Sequence, residues 1–417
     1  MDDGPWSCKA ANILQNPQAP RGFDDGKTVI LYHLCRMQAS RTRKVNRISV
    51  AVFFFMAGIC FASWASRIPD IKLQLGLSDA GLGAVLLALP CGLMLSLPVS
   101  GWAVTRFSSK TMVTIAAVGY PLTLIVIGLV TATWQLAAVL FVFGIFGNLY
   151  NISANTQAVG VESLYQRSIM ATFHGIWSLA GFSGAAVGTF MIAQQVAPLH
   201  HFIIVCICCL VVVLLAQGKI LPEDAKSTTK TPLFAKPDAT ILRLGLIAFG
   251  CLVCEGTMFD WSGVYFQKVV NAPKELVTLG YSVFMGTMAT GRFVGDKLIT
   301  RFGIQRMLQT SGIIICTGLS IAVLFPTLVP ATIGFFLVGF GVSSVVPLVY
   351  SATGKSKTMS PGVALAAVST IGFLGFLIGP PLIGFIAEIA GLRWSFTVIA
   401  LIGLSTTIMA TFMKWDR

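Results

Sequence analysis

Apolar residues run along this chain in long blocks, with polar residues confined to the gaps between them. A helix that crosses a bilayer needs about 20 mostly apolar residues. Twelve blocks reach that length, at residues 46–66, 80–100, 111–131, 134–157, 168–192, 199–217, 241–266, 276–297, 306–326, 329–352, 362–387 and 393–413. They predict twelve spanning helices joined mostly by short connections. The exception is the polar stretch 218–240, which holds Lys219, Glu223, Asp224, Lys226, Lys230, Lys236 and three prolines. It divides the pattern into six spans and six spans. The expected organisation is an N-terminal arm over 1–44, expected disordered, a six-helix bundle over 45–217, a linker over 218–240 and a second six-helix bundle over 241–414.

Composition narrows the class. Hydrophobic residues make up 55% of the 417 positions and charged residues 11%, against about 25% charged in a soluble domain. Mean hydropathy is +0.81. So little charge cannot cover a soluble surface of this size, which excludes a soluble enzyme, a disordered chain and a nucleic-acid-binding domain. The expectation is an all-α membrane protein, monomeric, with no nucleic acid among its partners. Eight of the ten cysteines fall in apolar blocks and two, Cys8 and Cys35, in the arm, so they read as interior packing residues and not as a disulfide framework. The pairs Cys251/Cys254 and Cys206/Cys209 lack neighbouring ligands, and neither a metal nor a cofactor is expected. The chain has no phosphate-binding GxxxxGK[ST] sequence for an ATP-driven pump.

The net charge of +13 is informative through its placement. Twelve spans put both termini on one side. The arm, the C-terminus and the loops sharing their side carry 23 Lys and Arg, the opposite loops carry 5, and Arg292 lies within the eighth span. Basic residues favour cytoplasmic loops, so both termini and the linker are expected in the cytoplasm. Met37 precedes a basic stretch leading into the first span and is expected to be the true start.

An internal repeat supports the two halves. Thr105-Arg106-Phe107-Ser108 follows the second span and Thr300-Arg301-Phe302-Gly303 the eighth, at an offset of 195. Gly181, Gly184 and Gly188 in the fifth span answer Gly375, Gly379 and Gly384 in the eleventh. With the turn Gly101-Trp102-Ala103-Val104-Thr105-Arg106-Phe107-Ser108-Ser109-Lys110 and its second copy from Gly291 through Asp296, Lys297 and Arg301, the chain over 46–413 resembles the major facilitator superfamily. The first copy departs from the family pattern, with Thr105 at the acid position and Ser108 and Ser109 for Gly and Arg. Trp64-Ala65-Ser66-Arg67-Ile68-Pro69-Asp70-Ile71 and Glu255-Gly256-Thr257-Met258-Phe259-Asp260-Trp261-Ser262 resemble a bacterial branch of inner-membrane permeases without assigned substrates, distantly similar to the fucose–proton symporters, which implies a bacterial inner membrane for this chain. The resemblance implies a secondary transporter of a small solute, working by alternating access, with spans 1, 4, 7 and 10 lining a central cavity.

Polar side chains inside the bilayer cost on the order of 3 kcal/mol for a central Asp or Lys, so they should face protein or water. Asn148, Asn151 and Asn155 share one stripe of span 4 and read either as interhelical hydrogen-bond glue or as a substrate-facing ladder. Glu255 lies near the midplane of span 7, where a carboxyl can take up and release a proton as water access alternates. It is the main candidate for proton coupling and for substrate contact, since spans 1 and 4 carry no acid. Asp260 is expected nearer the rim, solvated or paired with Arg67 or Lys268, as a second proton-coupling candidate. His174 and Trp177 in span 5, Trp64 in span 1, Trp261 in span 7 and Tyr350 in span 10 are further substrate-contact candidates. The competing readings are packing for His174 and interface anchoring for Trp64 and Trp261. Arg106, Lys110, Glu162, Arg292, Asp296 and Arg301 are gate candidates at the cytoplasmic rim, or anchors in the case of the bases. An exporter of a drug or metabolite is the alternative within transport. An intramembrane enzyme or a transporter-derived receptor is the alternative outside it, with Glu255 and His174 alone available for catalysis.

Overall fold

The predicted breaks between apolar blocks become the turns of a helical bundle. The computed structural model describes residues 26–165, 169–222, 238–353, 359 and 361–413, and the side chains among them except those of 26–40, 171, 296, 361 and 362. Residues 1–25 of the expected arm, 223–237 of the expected linker and the side chain of Asp296 lie outside that description. The helices are α1 (Gly26–Gln74), α2 (Asp79–Leu86), α3 (Ala88–Phe107), α4 (Ser109–Leu129), α5 (Thr133–Ser163), α6 (Met170–Ala193), α7 (Pro198–Ala216), α8 (Ala239–Lys268), α9 (Leu279–Leu324), α10 (Leu328–Val342), α11 (Val345–Thr353), α12 (Pro361–Ala390) and α13 (Leu392–Phe412). No strand occurs among the described residues. Among the described residues, eleven segments are long and apolar enough to cross a membrane. The first arm of α9, residues 279–302, makes a further rod ahead of a kink at Gly303.

Two of the predicted spans are built from two pieces. Span 2 is α2 plus α3, and span 10 is α10 plus α11, interrupted at Ser343 and Ser344. α1 begins at Gly26, inside the stretch expected as an arm. We call the end of the bundle carrying the 75–78 turn the far face and the end carrying Ser108 and Gly303 the near face.

The internal repeat is visible in the backbone. Ser108 stands at φ 74, ψ 150 and Gly303, its counterpart 195 positions on, at φ 77, ψ 163. Both reverse the chain between adjacent spans on the near face. That region is favourable to glycine and costs other residues on the order of 1–3 kcal/mol. Ser108 recovers part of the cost by capping α4, where its Oγ accepts from the Thr111 N–H at 3.4 Å. Losing such a cap to Gly costs only a few tenths of a kcal/mol. Ser108→Gly is therefore expected to stabilise the fold by about 1 kcal/mol, a gain of about 2 °C in apparent melting temperature, measurable on the purified protein.

Small residues set the tight helix pairs, again twice over. A Cβ on Gly184 of α6 would meet Ala62 of α1 at 2.7 Å, and one on Gly375 of α12 would meet the Phe249 carbonyl of α8 at 2.6 Å. α3 and α5 come closer still: a Cβ on Gly144 would meet the Leu89 carbonyl at 2.1 Å. Backbones at this separation leave room only for glycine, the packing mode of helices in lipid. The outward surface is apolar, with Ile207, Val211, Leu214 and Leu215 of α7 all exposed.

Candidate functional site

Three helices bring a charged cluster to one depth. Glu255 of α8 precedes the far end of its helix, Lys268, by 13 residues, and Arg292 of α9 follows the far end of its helix, Leu279, by 13. At 1.5 Å per residue each lies about 20 Å from the far face. The Arg292 Nη2 donates to Glu255 Oε1 at 3.3 Å, and its Nη1 donates to Ser178 Oγ of α6 at 2.5 Å. Arg292 Nε is buried without a partner. Arg292, expected as a gate at the near-face rim, thus reaches a midplane acid. Ser178 was not anticipated. Its signal was the sequence His174-x-x-Trp177-Ser178, which puts all three on one side of a helix.

His174 is exposed and sets its ring edge-on to Phe54, centroids 5.6 Å apart. Trp177 is half-buried and joins an aromatic cluster on the far side of the charged pair. Phe259, one turn beyond Glu255, centres it, with ring centroids 5.2 Å from Phe61, 6.2 Å from Trp177, 6.3 Å from Tyr281 and 6.4 Å from Phe376. Trp64 and Trp261 are fully buried, their indole N–H groups without partners. Tyr350 is half-buried, within electrostatic reach of Glu255.

The three asparagines separate. Asn148 is buried and its Nδ2 donates to Ser96 and Ser100 of α3 at 3.0 and 3.1 Å, a tie between α3 and α5. Asn151 is exposed, and Asn155 Nδ2 donates to its carbonyl at 2.8 Å and its Oδ1 at 3.2 Å.

Asp260 does not pair with Arg67 or Lys268. Arg67, 2% exposed, binds Asp70 at 2.7 Å, the Val196 carbonyl at 2.8 Å and His201 Nδ1 at 3.1 Å, fastening α1 to the start of α7. Lys268 binds Asp79 at 2.8 Å, and Lys72 binds the same oxygen at 2.9 Å. Asp260 stands within electrostatic reach of Tyr281, whose buried hydroxyl is unpartnered.

Glu162, Arg106, Arg301 and Lys110 sit apart from this cluster, and the Asp296 side chain lies outside the described residues. Glu162 Oε2 accepts from the N–H groups of Ile169 and Met170 at 2.7 and 2.8 Å, capping α6. Arg106 and Arg301 are exposed and stack over Phe107 and Phe302, the rings that follow them. Lys110 is half-buried.

Among the described residues, hydrogen bonds joining helices before the linker to helices after it include those from Ser178 to Arg292, from Thr189 to Thr278 (2.5 Å), from Asp79 to Lys268 and from the Ala80 N–H to Glu388 (3.1 Å). The first is at mid-depth and the other three are on the far face. The far-face set was missed because Asp79 reads as an ordinary first-turn acid. Glu388, the one acid in the thirty residues of α12, was the available clue.

Apolar helices of membrane-crossing length, twice-repeated turns and a buried charge pair together define a polytopic membrane protein. The Major Facilitator Superfamily profile matches residues 49–360. An uncharacterized MFS-type transporter of Yersinia pestis is 32% identical over 365 residues, covering 88% of this chain and 95% of that protein. The chain belongs to the Major Facilitator Superfamily. It is a multi-pass membrane protein of a transporter family that acts on small molecules. It is also 25% identical, over 90% of its length and 95% of the other's, to a cis,cis-muconate transport protein of Acinetobacter baylyi. The fold superposes on the nucleoside transporter NupG with a TM-score of 0.70 at 15% identity, over 87% of this chain and 98% of that one.

Proposed function

We propose that the chain is a proton-coupled secondary transporter of a small solute, working by alternating access between the bundles 45–217 and 241–414. The excess of Lys and Arg on the near face supports a cytoplasmic near face, and the bacterial relatives support an inner-membrane location. The observation that carries the reading is the Glu255–Arg292 pair, which sits at mid-depth and touches the other bundle through Ser178. A buried ion pair is a poor stabiliser, because desolvation offsets its attraction. Its retention between two bundles fits a switch better than a strut.

In this reading the structure holds the periplasmic side closed, by the Asp79–Lys268 and Ala80–Glu388 ties and the aromatic cluster around Phe259. A proton reaching Glu255 neutralises it and weakens its hold on Arg292 to that of a neutral acceptor. The solute and the proton then leave together when the bundles swing. The pair thereby couples the two loads, since neither alone satisfies both groups. The relative named for cis,cis-muconate transport is consistent with a carried organic acid.

The test is purified protein in liposomes loaded with a pH-reporting dye. Unlabelled sugars, nucleosides, amines and organic acids are offered in turn. One class should drive a proton flux that follows its own movement. Solute exchange without proton flux would remove the coupling, and no exchange with any class would remove the transport reading. Asn151, the exposed member of the ladder, is assigned to solute contact. Asn151→Ala is expected to weaken apparent solute affinity about fivefold, the scale of one hydrogen bond of about 1 kcal/mol, with unchanged melting temperature. Asn148→Ala should do the reverse, as it loses two buried bonds to α3.

A further inference from the structure

Arg292 uses only part of its hydrogen-bonding capacity. A guanidinium presents five N–H groups in a rigid fork, and a carboxylate docks best side-on, across Nε and one Nη. Here Nη1 is taken by Ser178 at 2.5 Å. Nη2 holds Glu255 through a single oxygen at 3.3 Å, longer than the roughly 2.7–2.9 Å of a good charged hydrogen bond. Nε, the other prong of the same side-on site, has no partner although it is buried. Glu255 therefore half-fills a two-pronged carboxylate site.

One helical turn beyond Glu255, toward the far face, lies an aromatic cluster centred on Phe259. Trp177 precedes Ser178 in the chain, and its half-buried ring joins those of Phe61 and Phe376 around Phe259. The cluster draws on α1, α6, α8 and α12, so it belongs to both bundles. Flat rings meet a flat apolar body with good contact.

We propose that Arg292 and Ser178 bind the carboxylate of an organic monoanion, displacing Glu255, with the anion's flat unsaturated body against Trp177, Phe61 and Phe376. The proposal rests on the transport reading above and adds its substrate class. It also explains the coupling. The substrate carboxylate and the Glu255 carboxylate compete for one fork, so protonating Glu255 opens the site and occupying the site favours the protonated acid. The other titratable groups near the pair are His174 from α6, Tyr350 from α11 and Cys251 and Cys254 from α8 itself. None of them occupies the fork.

Competition has a sign that a structural role lacks. Removing the charge of Glu255 should tighten binding of the anion. The test measures binding of benzoate and cinnamate to the purified full chain, by ligand-induced melting shift and tryptophan fluorescence, with benzamide and benzylamine as neutral and cationic counterparts. Benzoate or cinnamate should stabilise the wild type by several degrees and the counterparts should not. Glu255→Gln should bind the anion at least fivefold tighter, Ser178→Ala about tenfold weaker, and Arg292→Gln not detectably. Should Arg292→Gln fail to fold, the first two variants still decide. The proposal is overturned if benzamide or benzylamine stabilises as well as benzoate, if neither acid binds, or if Glu255→Gln leaves affinity unchanged or lower. Solute-linked proton flux with a neutral or cationic solute would sink this site and leave the transport reading standing. Tight benzoate binding with no solute exchange in liposomes would do the opposite.

Discussion

Glu255→Gln is expected to abolish uphill accumulation while leaving exchange intact. One unit of pH gradient is worth about 1.4 kcal/mol per proton, or about tenfold in concentration ratio. With one proton carried per solute, wild-type liposomes under a two-unit gradient should therefore concentrate solute about 100-fold. The variant should stop near 1. Glutamine copies the shape of the protonated acid and keeps an oxygen for Arg292 Nη2, now at 3.3 Å from Glu255 Oε1. Folding and counterflow should therefore survive, the latter within about threefold. Initial uptake should also lose its dependence on pH. Glu255→Ala is a harsher change, because it strands the Arg292 charge at mid-depth, and removing one member of a buried pair costs about 3–5 kcal/mol. A Glu255→Gln protein that still accumulates solute under a pH gradient would remove Glu255 from the coupling and leave Asp260 as the acid to examine.

The spans were legible in sequence because bilayer thickness fixes the length of an apolar run, and twelve runs recur here without depending on any single contact. The repeat was legible too, and Ser108 and Gly303 share one backbone conformation. What the sequence did not show came from side-chain reach and from breaks inside apolar runs. Arg292 reads as a rim charge because charged residues cluster near span ends. Its helix instead begins at Leu279, which places it at the depth of Glu255. Asn148, Asn151 and Asn155 share a stripe, but a stripe on one helix does not say which neighbour covers each end of it. α3 covers Asn148 alone. The divisions of the second and tenth spans leave no trace in hydropathy, since both fragments are apolar.

Gly83→Val is expected to open the far face. α2 and α12, one from each bundle, cross with their backbones in contact there. A Cβ on Gly83 would stand 2.7 Å from the Pro380 carbonyl and 3.0 Å from the Gly384 Cα, and one on Gly384 would stand 2.6 Å from the Asp79 carbonyl. Each obstacle is backbone, so no rotamer change relieves it. Overpacking of this kind costs about 1–3 kcal/mol. Because the contact joins two bundles, separating them removes the clash without unfolding either. The cost should then appear as a shift of about 5- to 150-fold toward the state with the far face open. Spin labels at Leu73 and Ile389, both exposed on that face, should move apart, and labels at Leu164 and Phe302 on the near face should approach. Transport should slow because the closed state is under-populated. Gly101→Ala is the matched control: its Cβ would meet nothing within 4 Å, so it should change neither distance. Asp79→Asn breaks the neighbouring bonds to Lys72 and Lys268 and should push in the same direction, by less, because Lys268 is 44% exposed and exposed ion pairs are worth about 1 kcal/mol or less. A folded Gly83→Val protein with unchanged label distances would show that α2 and α12 stay in contact in both states, and the hinge would then have to lie elsewhere than between the two bundles.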